Sequence, residues 1–298
     1  MASDPATPFA SVQDVLEGLE REQYIADASI ATSVYLAAAL QRPLLIEGRA
    51  GVGKTEVANV LSRLLDTNLI RLQCYEGLDV NTALYEWNYP KQLLWIKLEE
   101  GSSRSVRERE QEIFSEEFLL QRPLLAALTQ EERAPVLLID EVDRADEEFE
   151  AFLLEVLSEF QVTIPEIGTV RARRVPAVVL TSNRSRDLSD ALRRRCLYLW
   201  VDYPSFEKEL RIVTSRVPGI SDSLARRICT FMQEVRSLGL EKTPGISETL
   251  DWASAVVMLH RDRLDRETVE QTLGCLVKDA DDLRQLRESP LEEMLARA

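Results

Sequence analysis

Residues 48–55, GRAGVGKT, have the spacing of a phosphate-binding loop. Gly48 is followed by four residues and then by Gly53, Lys54 and Thr55, which satisfies the pattern G-x-x-x-x-G-K-[ST]. The glycines at 48, 51 and 53 predict left-handed backbone angles that turn N–H groups toward phosphate oxygens. Lys54 would bring a positive charge to the β- and γ-phosphates, and Thr55 offers a hydroxyl to Mg²⁺. We therefore assign nucleotide binding to Gly48, Arg49, Ala50, Gly51, Val52, Gly53, Lys54, Thr55 and Glu56.

A pair of carboxylates follows an aliphatic run in residues 135–146, PVLLIDEVDRAD. Val136 to Ile139 predict a buried strand that ends in Asp140 and Glu141, at the edge where α/β sheets bind ligands. The carboxylate of Asp140 can hold Mg²⁺, often through a water molecule. The carboxylate of Glu141 can orient and polarise an attacking water molecule. Together with the phosphate loop upstream, the two acids predict hydrolysis of a bound nucleotide.

Two further groups of polar residues adjoin later strands. The run VPAVVLTSN predicts a buried strand ending in Asn183. Its amide would hydrogen-bond the γ-phosphate or the attacking water, and a turn-forming asparagine is the alternative. Three adjacent arginines, Arg193 to Arg195, precede the strand-like CLYLWVDY. The simplest interpretation of such a run is a solvated basic patch on the surface. A guanidinium group can also donate two hydrogen bonds to phosphate oxygens, so these arginines could reach the γ-phosphate of a neighbouring subunit.

The elements around these motifs are those of an α/β protein. PLLIEG predicts a short buried strand before the loop, and TEVANVLSRLLD predicts a helix whose N-terminus meets the phosphates. LIRLQC predicts a second strand, and EEFEAFLLEVLSEF and SEEFLLQRPLLAALT predict amphipathic helices. Residues 11–40 predict helical structure, which includes the strongly apolar helix ASIATSVYLAAAL. Tyr24 and Ile25 precede that helix and either cover an adenine ring or pack in the core.

Other segments have roles outside the nucleotide motifs. Residues 75–98 are rich in aromatics and form either a partner-facing insertion, with Tyr85, Trp87 and Trp95 exposed, or a satellite core. Residues 101–112, GSSRSVREREQE, predict an exposed polar loop or the start of a helix. Residues 161–174 alternate around residues 167–169 and predict a β-hairpin. After Pro204, helical patterns predict a second, helical domain.

Length and composition restrict the class of protein. The 298 residues suit one large domain or two smaller ones. The net charge of −15 argues against a general nucleic-acid-binding surface, although a local basic pore is compatible with it. There is no apolar run long enough to span a bilayer and no signal-peptide pattern in MASDPATPFA, which favours the cytoplasm. The four scattered cysteines and the single histidine, His260, predict no zinc site, disulfide framework or His-based triad.

The order of these motifs resembles that of the AAA+ ATPases, and more narrowly that of the MoxR family and its CoxD-like branch. The resemblance covers about residues 12–260 and is carried by RLQCYEGLD, LYEWNYPKQLL, DEVDRADEEFEAFLLEVLSEFQVTIPE, LTSNRSRDLSDALRRRCLYLW and TPGISETLDW. It implies an α/β fold with an AAA+ P-loop NTPase core at residues 8–203 and a C-terminal all-helical lid at residues 204–298. The core would carry a helix-2 insertion at about 75–100 and, before sensor 1, a hairpin at about 161–174 that such proteins turn toward a central pore.

The resemblance also implies roles for single residues. Residues 48–55 match Walker A, Asp140 and Glu141 match Walker B, and Asn183 matches sensor 1. The arginine finger falls within residues 193–195, with Arg195 favoured and Arg194 next.

One segment departs from the family pattern. Many relatives carry a sensor-2 arginine at the start of a lid helix, whereas the matching segment here is GISETLDW, with Glu248 and Thr249 and no arginine. The resemblance therefore does not extend to nucleotide sensing by a lid arginine.

The implied activity is hydrolysis of ATP with Mg²⁺ in a homo-oligomer, expected to be a hexameric ring because the finger acts on the next subunit. The implied work is chaperone-like remodelling or metal-centre insertion in a client metalloenzyme, such as a molybdenum hydroxylase of the carbon monoxide dehydrogenase type. A von Willebrand factor A-domain protein would be the adaptor. The alternatives are a nucleic-acid-dependent AAA+ motor, a small-molecule P-loop kinase, and a GTPase, for which no NKxD motif is visible.

Overall fold

The computed structural model describes residues 8–99, 105–261 and 263–298. Its helices are α1 Val12–Arg21, α2 Ala28–Leu40, α3 Lys54–Leu64, α4 Val80–Ala83, α5 Tyr89–Leu98, α6 Val106–Ile113, α7 Pro123–Leu128, α8 Glu147–Glu159, α9 Asp190–Arg195, α10 Phe206–Arg216, α11 Asp222–Ser237, α12 Ile246–Met258, α13 Arg266–Leu276, α14 Ala280–Glu288 and α15 Leu291–Arg297. Its strands are β1 Leu44–Gly48, β2 Leu69–Gln73, β3 Tyr85–Trp87, β4 Leu119–Gln121, β5 Val136–Asp140, β6 Gln161–Ile164, β7 Gly168–Arg171, β8 Ala177–Ser182 and β9 Leu197–Val201.

Five strands form the central sheet, in the order β2–β5–β8–β1–β9. The pairs β2–β5, β5–β8 and β8–β1 are parallel. Strands β1 and β5 are buried along their whole length, as expected for mainly aliphatic strands in a sheet covered by helices. Because parallel strands end at one edge, Glu47, Asp140 and Ser182 lie at the same carboxyl edge of the sheet. The sheet is that of the predicted α/β class.

The chain divides into two compact units, each with its own core. The first contains the described residues up to Val15, Ala28–Glu47 and Ala58–Leu199; the second contains Leu16–Asp27, Gly48–Val57 and Trp200–Ala298. In the second unit, the helices from α10 onward bury an aromatic pair, Phe231 and Trp252, with ring centroids 5.3 Å apart. No helix in the described ranges has both the length and the apolar composition to cross a membrane. The predicted domain boundary at residue 204 stays a prediction.

Residues 11–40 are helical as predicted except for a break after Arg21, where Gln23 takes a left-handed φ of 59°, and the run ASIATSVYLAAAL forms α2. Two other local predictions were wrong. Residues 115–129 contain the short strand β4 and then α7, which begins at Pro123, since proline fits only the first turn of a helix. The predicted hairpin is present as β6–β7, but its turn lies at residues 165–167, and Gly168, with φ of 98°, already begins β7.

The segment 75–99 carries α4, β3 and α5, and β3 pairs with β4 in a small antiparallel sheet. Exposure of Trp87 was a wrong prediction, because this residue is 7% exposed and makes edge contacts with Tyr85 and Phe114. Trp95 is half-buried against Phe118. Apart from Tyr75, the exposed large apolar side chains of this segment belong to α5 and are mostly aliphatic: Tyr89, Leu93, Leu94, Ile96 and Leu98. Of the predicted polar loop, residues 101–104 lie outside the described residues, and α6 follows them.

Candidate nucleotide site

Asp140 ends β5 and is 3% exposed. Its Oδ1 accepts a hydrogen bond from the Thr181 hydroxyl, and its Oδ2 lies 2.5 Å from Nη2 of Arg71. Strand β5 lies between β2 and β8, so polar side chains of both neighbouring strands reach the carboxylate. Both oxygens of Asp140 are therefore engaged within the first unit, which fixes the orientation of the carboxylate.

Glu141 follows with a left-handed backbone conformation, φ 55° and ψ 49°, which is uncommon outside glycine. Its N–H donates to Oγ1 of Thr181 at 2.9 Å. Its carboxylate accepts hydrogen bonds from Nδ2 of Asn183 at 3.3 Å and from Nε2 of Gln73 at 3.2 Å. The structure thus brings the predicted acid and the predicted amide together at the carboxyl ends of β5 and β8.

Asp143 holds the loop after β8 and was not singled out by sequence. It is 2% exposed. Its carboxylate accepts from the backbone N–H of Asn183 at 3.2 Å, and from the N–H and hydroxyl of Ser185 at 2.8 Å and 2.7 Å. The sequence signal for Asp143 was its position as the third acid of DEVD. In the structure it lies at the middle of the tight 3₁₀ turn Val142–Arg144. Asp143 therefore fixes the backbone from which the Asn183 amide extends.

Sequence reasoning also missed Thr181, Arg71 and Gln73 as contacts of the two acids. Arg71 and Gln73 are two residues apart on β2, so they share one face of the strand, and Gln73 is opposite Asp140 in register. Two polar residues in the otherwise aliphatic stretch LIRLQ were the signal. To infer their contacts with the two acids, one would have to know that β2 pairs with β5, and the order of the strands along the chain does not reveal this pairing.

The acidic edge acts electrostatically on its neighbour Cys74. The pKa of this thiol is raised to about 12, first by burial and then by the negative charges of Asp140, Asp143 and Glu141. A negative field of this kind favours a cation. Within the described ranges, no cluster of three or more His, Cys, Asp or Glu side chains is arranged to hold a metal ion by itself.

The phosphate loop belongs to the second unit. Gly51 and Gly53 have the predicted left-handed angles, with φ of 71° and 89°. For Gly48 that prediction was wrong, since this residue is the last of β1 and has no positive φ. Glycine is required there by close approach instead, because an added Cβ would lie 2.0 Å from the Val201 carbonyl oxygen.

Lys54 begins α3 and is 7% exposed. Its Nζ donates to the carbonyl oxygens of Gly48 at 3.0 Å and Arg49 at 2.6 Å. The ammonium group is thus held by the loop itself. Arg49 and Ala50 are exposed, Val52 is buried, and Thr55 is half-buried in the first turn of α3. This is the placement expected of a loop that offers its backbone, an ammonium group and a hydroxyl to phosphate and metal.

Glu56 and the predicted adenine residues also belong to the second unit. Glu56 Oε1 lies 3.1 Å from Nη2 of Arg216 on α10, so this acid is committed to an ion pair. Tyr24 and Ile25 are half-buried after α1. The pKa of the Tyr24 phenol is raised by burial, and further by Asp27 and Glu56, so the phenol stays protonated. An adenine-covering role for Tyr24 and Ile25 stays a prediction.

The three arginines form the last turn of α9, and their side chains differ in their contacts. Arg193 pairs with the fully buried Glu47 at 3.3 Å. Arg195 donates from Nε to the Ser158 hydroxyl at 2.6 Å and from Nη1 to the Ala191 carbonyl at 3.3 Å. Arg194 is exposed, and its side chain makes no hydrogen bond or ion pair with any described residue. Which of them is the finger stays a prediction.

Comparisons with known proteins bear on the family and the fold of this chain. The sequence profile described as "AAA domain (dynein-related subfamily)" matches residues 43–196. Two uncharacterized proteins from different strains of Staphylococcus aureus are each 24% identical over 242 residues, covering 77% of this chain and 84% of the relative. A mutant of RuvB from Thermotoga maritima is similar in structure, with a TM-score of 0.50 at 20% identity, covering 99% of this chain and 85% of that chain. The RuvB Holliday junction branch migration motor from the same organism has a TM-score of 0.47 at 20% identity, with coverages of 94% and 80%.

Proposed function

The chain belongs to the AAA domain family, dynein-related subfamily, and from that premise we propose that it is an ATP-hydrolysing chaperone of the MoxR type. The observation that carries the hydrolytic step is the 3.3 Å contact between Nδ2 of Asn183 and Oε1 of Glu141. A carboxylate polarises an attacking water, and an amide beside it fixes the direction of attack. The hydrogen bond from the Glu141 N–H to the Thr181 hydroxyl holds this arrangement in place.

The remaining residues of the proposed reaction act on the phosphates. Lys54 neutralises developing charge, and the loop amides hold the phosphate oxygens. The Thr55 hydroxyl and the Asp140 carboxylate are hard oxygen donors of the kind that suits Mg²⁺, which would neutralise charge on the β- and γ-phosphates. Because both oxygens of Asp140 already accept hydrogen bonds, we expect its contact with the ion to run through water. An arginine of α9 would act on the γ-phosphate of a neighbouring subunit.

The client side of the proposal rests on α5. Leu93, Leu94 and Leu98 on this helix are 60%, 59% and 75% exposed. Contiguous exposed aliphatic surface is typical of interaction sites. We place client or adaptor binding on this helix and on the β6–β7 hairpin, in a hexameric ring in the cytoplasm. By resemblance to the CoxD-like branch, the client is a metalloenzyme such as a molybdenum hydroxylase, reached through a von Willebrand factor A-domain adaptor.

The test is capture of the client from the native host. The Glu141→Gln protein, which would hold ATP without hydrolysing it, is expected to retain a defined metalloenzyme or adaptor that the Lys54→Ala protein does not. A Glu141→Gln protein that also carries Leu93→Ser, Leu94→Ser and Leu98→Ser should bind ATP equally well and lose that partner. Capture of the same proteins by all three would contradict the client proposal.

A nucleic-acid-dependent motor is the rival function. The similarity to RuvB is at 20% identity and shows the fold alone. Measuring ATP turnover of the purified protein with added duplex DNA, single-stranded DNA or RNA distinguishes a chaperone from a nucleic-acid-dependent motor. A chaperone should show unchanged ATP turnover, whereas several-fold stimulation by one nucleic acid would favour the motor. Transfer of the γ-phosphate to an acceptor other than water would instead favour a kinase.

A further inference from the structure

The start of helix α12 is hydrogen-bonded to the apex of the phosphate loop through main-chain atoms. The N–H groups of Ile246 and Ser247 donate to the Gly51 carbonyl oxygen at 2.9 Å and 3.2 Å, and the Ser247 hydroxyl lies 3.4 Å from the same oxygen. The first N–H groups of a helix have no partner within the helix. Here two of them are used by the loop that we assign to nucleotide phosphate.

The approach of the two backbones is close enough to require glycine at residue 245. A Cβ added there would lie 2.7 Å from the carbonyl carbon and oxygen of Gly51 and 2.8 Å from the Ala50 carbonyl oxygen. These are backbone atoms, which cannot rotate away. Glu248 closes the turn, because its Oε2 accepts from the Gly245 N–H at 2.8 Å. Residue 248 is thus occupied in capping its own helix.

A buried ion pair between Arg236 and Glu209 lies beside the residues that precede α12. Arg236 on α11 donates to both carboxylate oxygens of Glu209, at 2.6 Å and 2.7 Å, and the two side chains are 6% and 0% exposed. The same guanidinium donates to the carbonyl oxygens of Pro244 at 2.9 Å and Gly245 at 3.3 Å. Arg236 therefore fixes the backbone just before α12.

We propose that residues Gly245–Glu248, here called the loop latch, position the phosphate loop for nucleotide through the Gly51 carbonyl. The C=O of Gly51 and the N–H of Val52 belong to one trans peptide unit and point in opposite directions. Holding that carbonyl against α12 therefore directs the Val52 N–H to the other side of the loop, as a ready donor to phosphate. This inference rests on the proposed function only in that nucleotide is the ligand.

Two variants at one position separate the main-chain contact from the side chain. Ser247→Ala keeps the N–H and removes the hydroxyl, whereas Ser247→Pro also removes the N–H. Proline is tolerated in the first turn of a helix, and α5 already carries Pro90 at its second residue. We expect Ser247→Pro to weaken binding of N-methylanthraniloyl-ATP and N-methylanthraniloyl-ADP equally, by about tenfold, the equivalent of one hydrogen bond. Ser247→Ala should bind within about twofold of wild type, and turnover at saturating ATP should change far less than affinity.

A second pair of variants, at two glycines, keeps the test decisive if one variant misfolds. Gly245→Ala forces the loop away and should show the same weakening, whereas Gly274→Ala on α13 meets nothing within 4 Å and should bind as wild type. If wild type binds nucleotide and both Ser247→Pro and Gly245→Ala bind as tightly, with melting temperatures near that of wild type, the latch is wrong and the proposed function stands. If one of the two variants does not fold, the other decides. If wild type binds no nucleotide, both are wrong.

Discussion

Thr181 has one hydroxyl and makes two contacts with it. The hydroxyl donates to Oδ1 of Asp140 and accepts from the N–H of Glu141 at 2.9 Å. The second contact holds Glu141 in its left-handed conformation, which would otherwise be costly for a residue with a side chain. A single side chain on β8 thus sets the geometry of both acids on β5.

This leads to a prediction for Thr181→Val, which keeps the shape of the side chain and loses the hydroxyl. Leaving the buried Asp140 oxygen and the Glu141 N–H without this partner should lower the free energy of unfolding by about 1–3 kcal/mol. Turnover should fall because Glu141 loses its fixed direction. Thr181→Ser keeps the hydroxyl and is the control. Chemical denaturation and phosphate release measure both effects, and equal turnover in the two variants would contradict the assigned role.

Lys54 and Glu141 should separate binding from hydrolysis. In the proposed mechanism Lys54 contacts phosphate in the bound state, so Lys54→Ala should weaken ATP affinity by about tenfold or more, in line with loss of a charged hydrogen bond. Glu141 is proposed to act mainly on the attacking water, so Glu141→Gln should bind ATP nearly as wild type and turn over about 10²–10⁴-fold more slowly. Calorimetry and single-turnover hydrolysis test this. Normal turnover in Glu141→Gln would remove the residue from the mechanism.

At the scale of elements, the short helix α9 is restrained by hydrogen bonds at both ends. Its N-cap residue Ser189 donates its N–H to the buried Glu150 at 2.9 Å. At its other end, the Arg42 guanidinium donates to the carbonyl oxygens of Arg194 at 2.7 Å and Arg195 at 3.2 Å. A cation at the C-terminal carbonyls also stabilises the helix dipole. The helix is thus fixed at both ends while the Arg194 side chain stays exposed.

The sequence predicted the central strands and the helices α2, α3 and α8 because their apolar residues follow the spacing of a strand or a helix. It also located Asp140, Glu141 and Asn183, since Asp140 ends such a strand and the other two stand directly after one. It could not predict Thr181, Arg71 or Asp143 as their partners, because those contacts depend on strand order and on a tight turn. It failed at residues 115–129, where a helical pattern is divided by Pro123 and the first half pairs with β3.

The same tertiary pairing buried Trp87, which gives a prediction about stability. Trp87→Ala should lower the free energy of unfolding by about 3–5 kcal/mol, because it leaves a cavity between Tyr85 and Phe114. Leu94→Ser on the exposed face of α5 should change it by about 0.5 kcal/mol or less. Urea denaturation of the two variants measures both. A similar cost for both would mean that the exposed face of α5 is covered in the isolated protein.

At the scale of the whole molecule, the three arginines of α9 have different capacities to act on another subunit. Arg193 neutralises the buried Glu47 and Arg195 is bonded to Ser158 and Ala191, so either would have to leave a partner. The Arg194 side chain has no such contact with the described residues. The sequence pattern favours Arg195 as the finger, whereas the contacts within one chain favour Arg194. An arginine given to a neighbour makes activity a property of the assembly.

The last prediction is that hydrolysis requires an arginine from the adjacent subunit, with Arg194 as the donor. An arginine finger contributes a factor of about 10³–10⁵ in turnover, whereas a surface arginine contributes almost nothing, so the two possibilities are far apart. Arg194→Ala protein, whose loop is intact, and Lys54→Ala protein, whose α9 is intact, should each be nearly inactive. When the two are mixed and subunits exchange, some interfaces combine an intact loop with an intact arginine, and part of the activity should return.

Arg195→Ala is the matched control in the same turn of α9, and we expect it to keep most of its activity and to lose only its contacts with Ser158 and Ala191. Loss in Arg195→Ala with rescue by Lys54→Ala protein would move the finger to Arg195 and leave the trans mechanism intact. Full turnover by wild-type protein shown to be monomeric at the assay concentration, by sedimentation in the presence of ATP, would contradict the trans mechanism. In that case the arginine turn would have to act within its own chain.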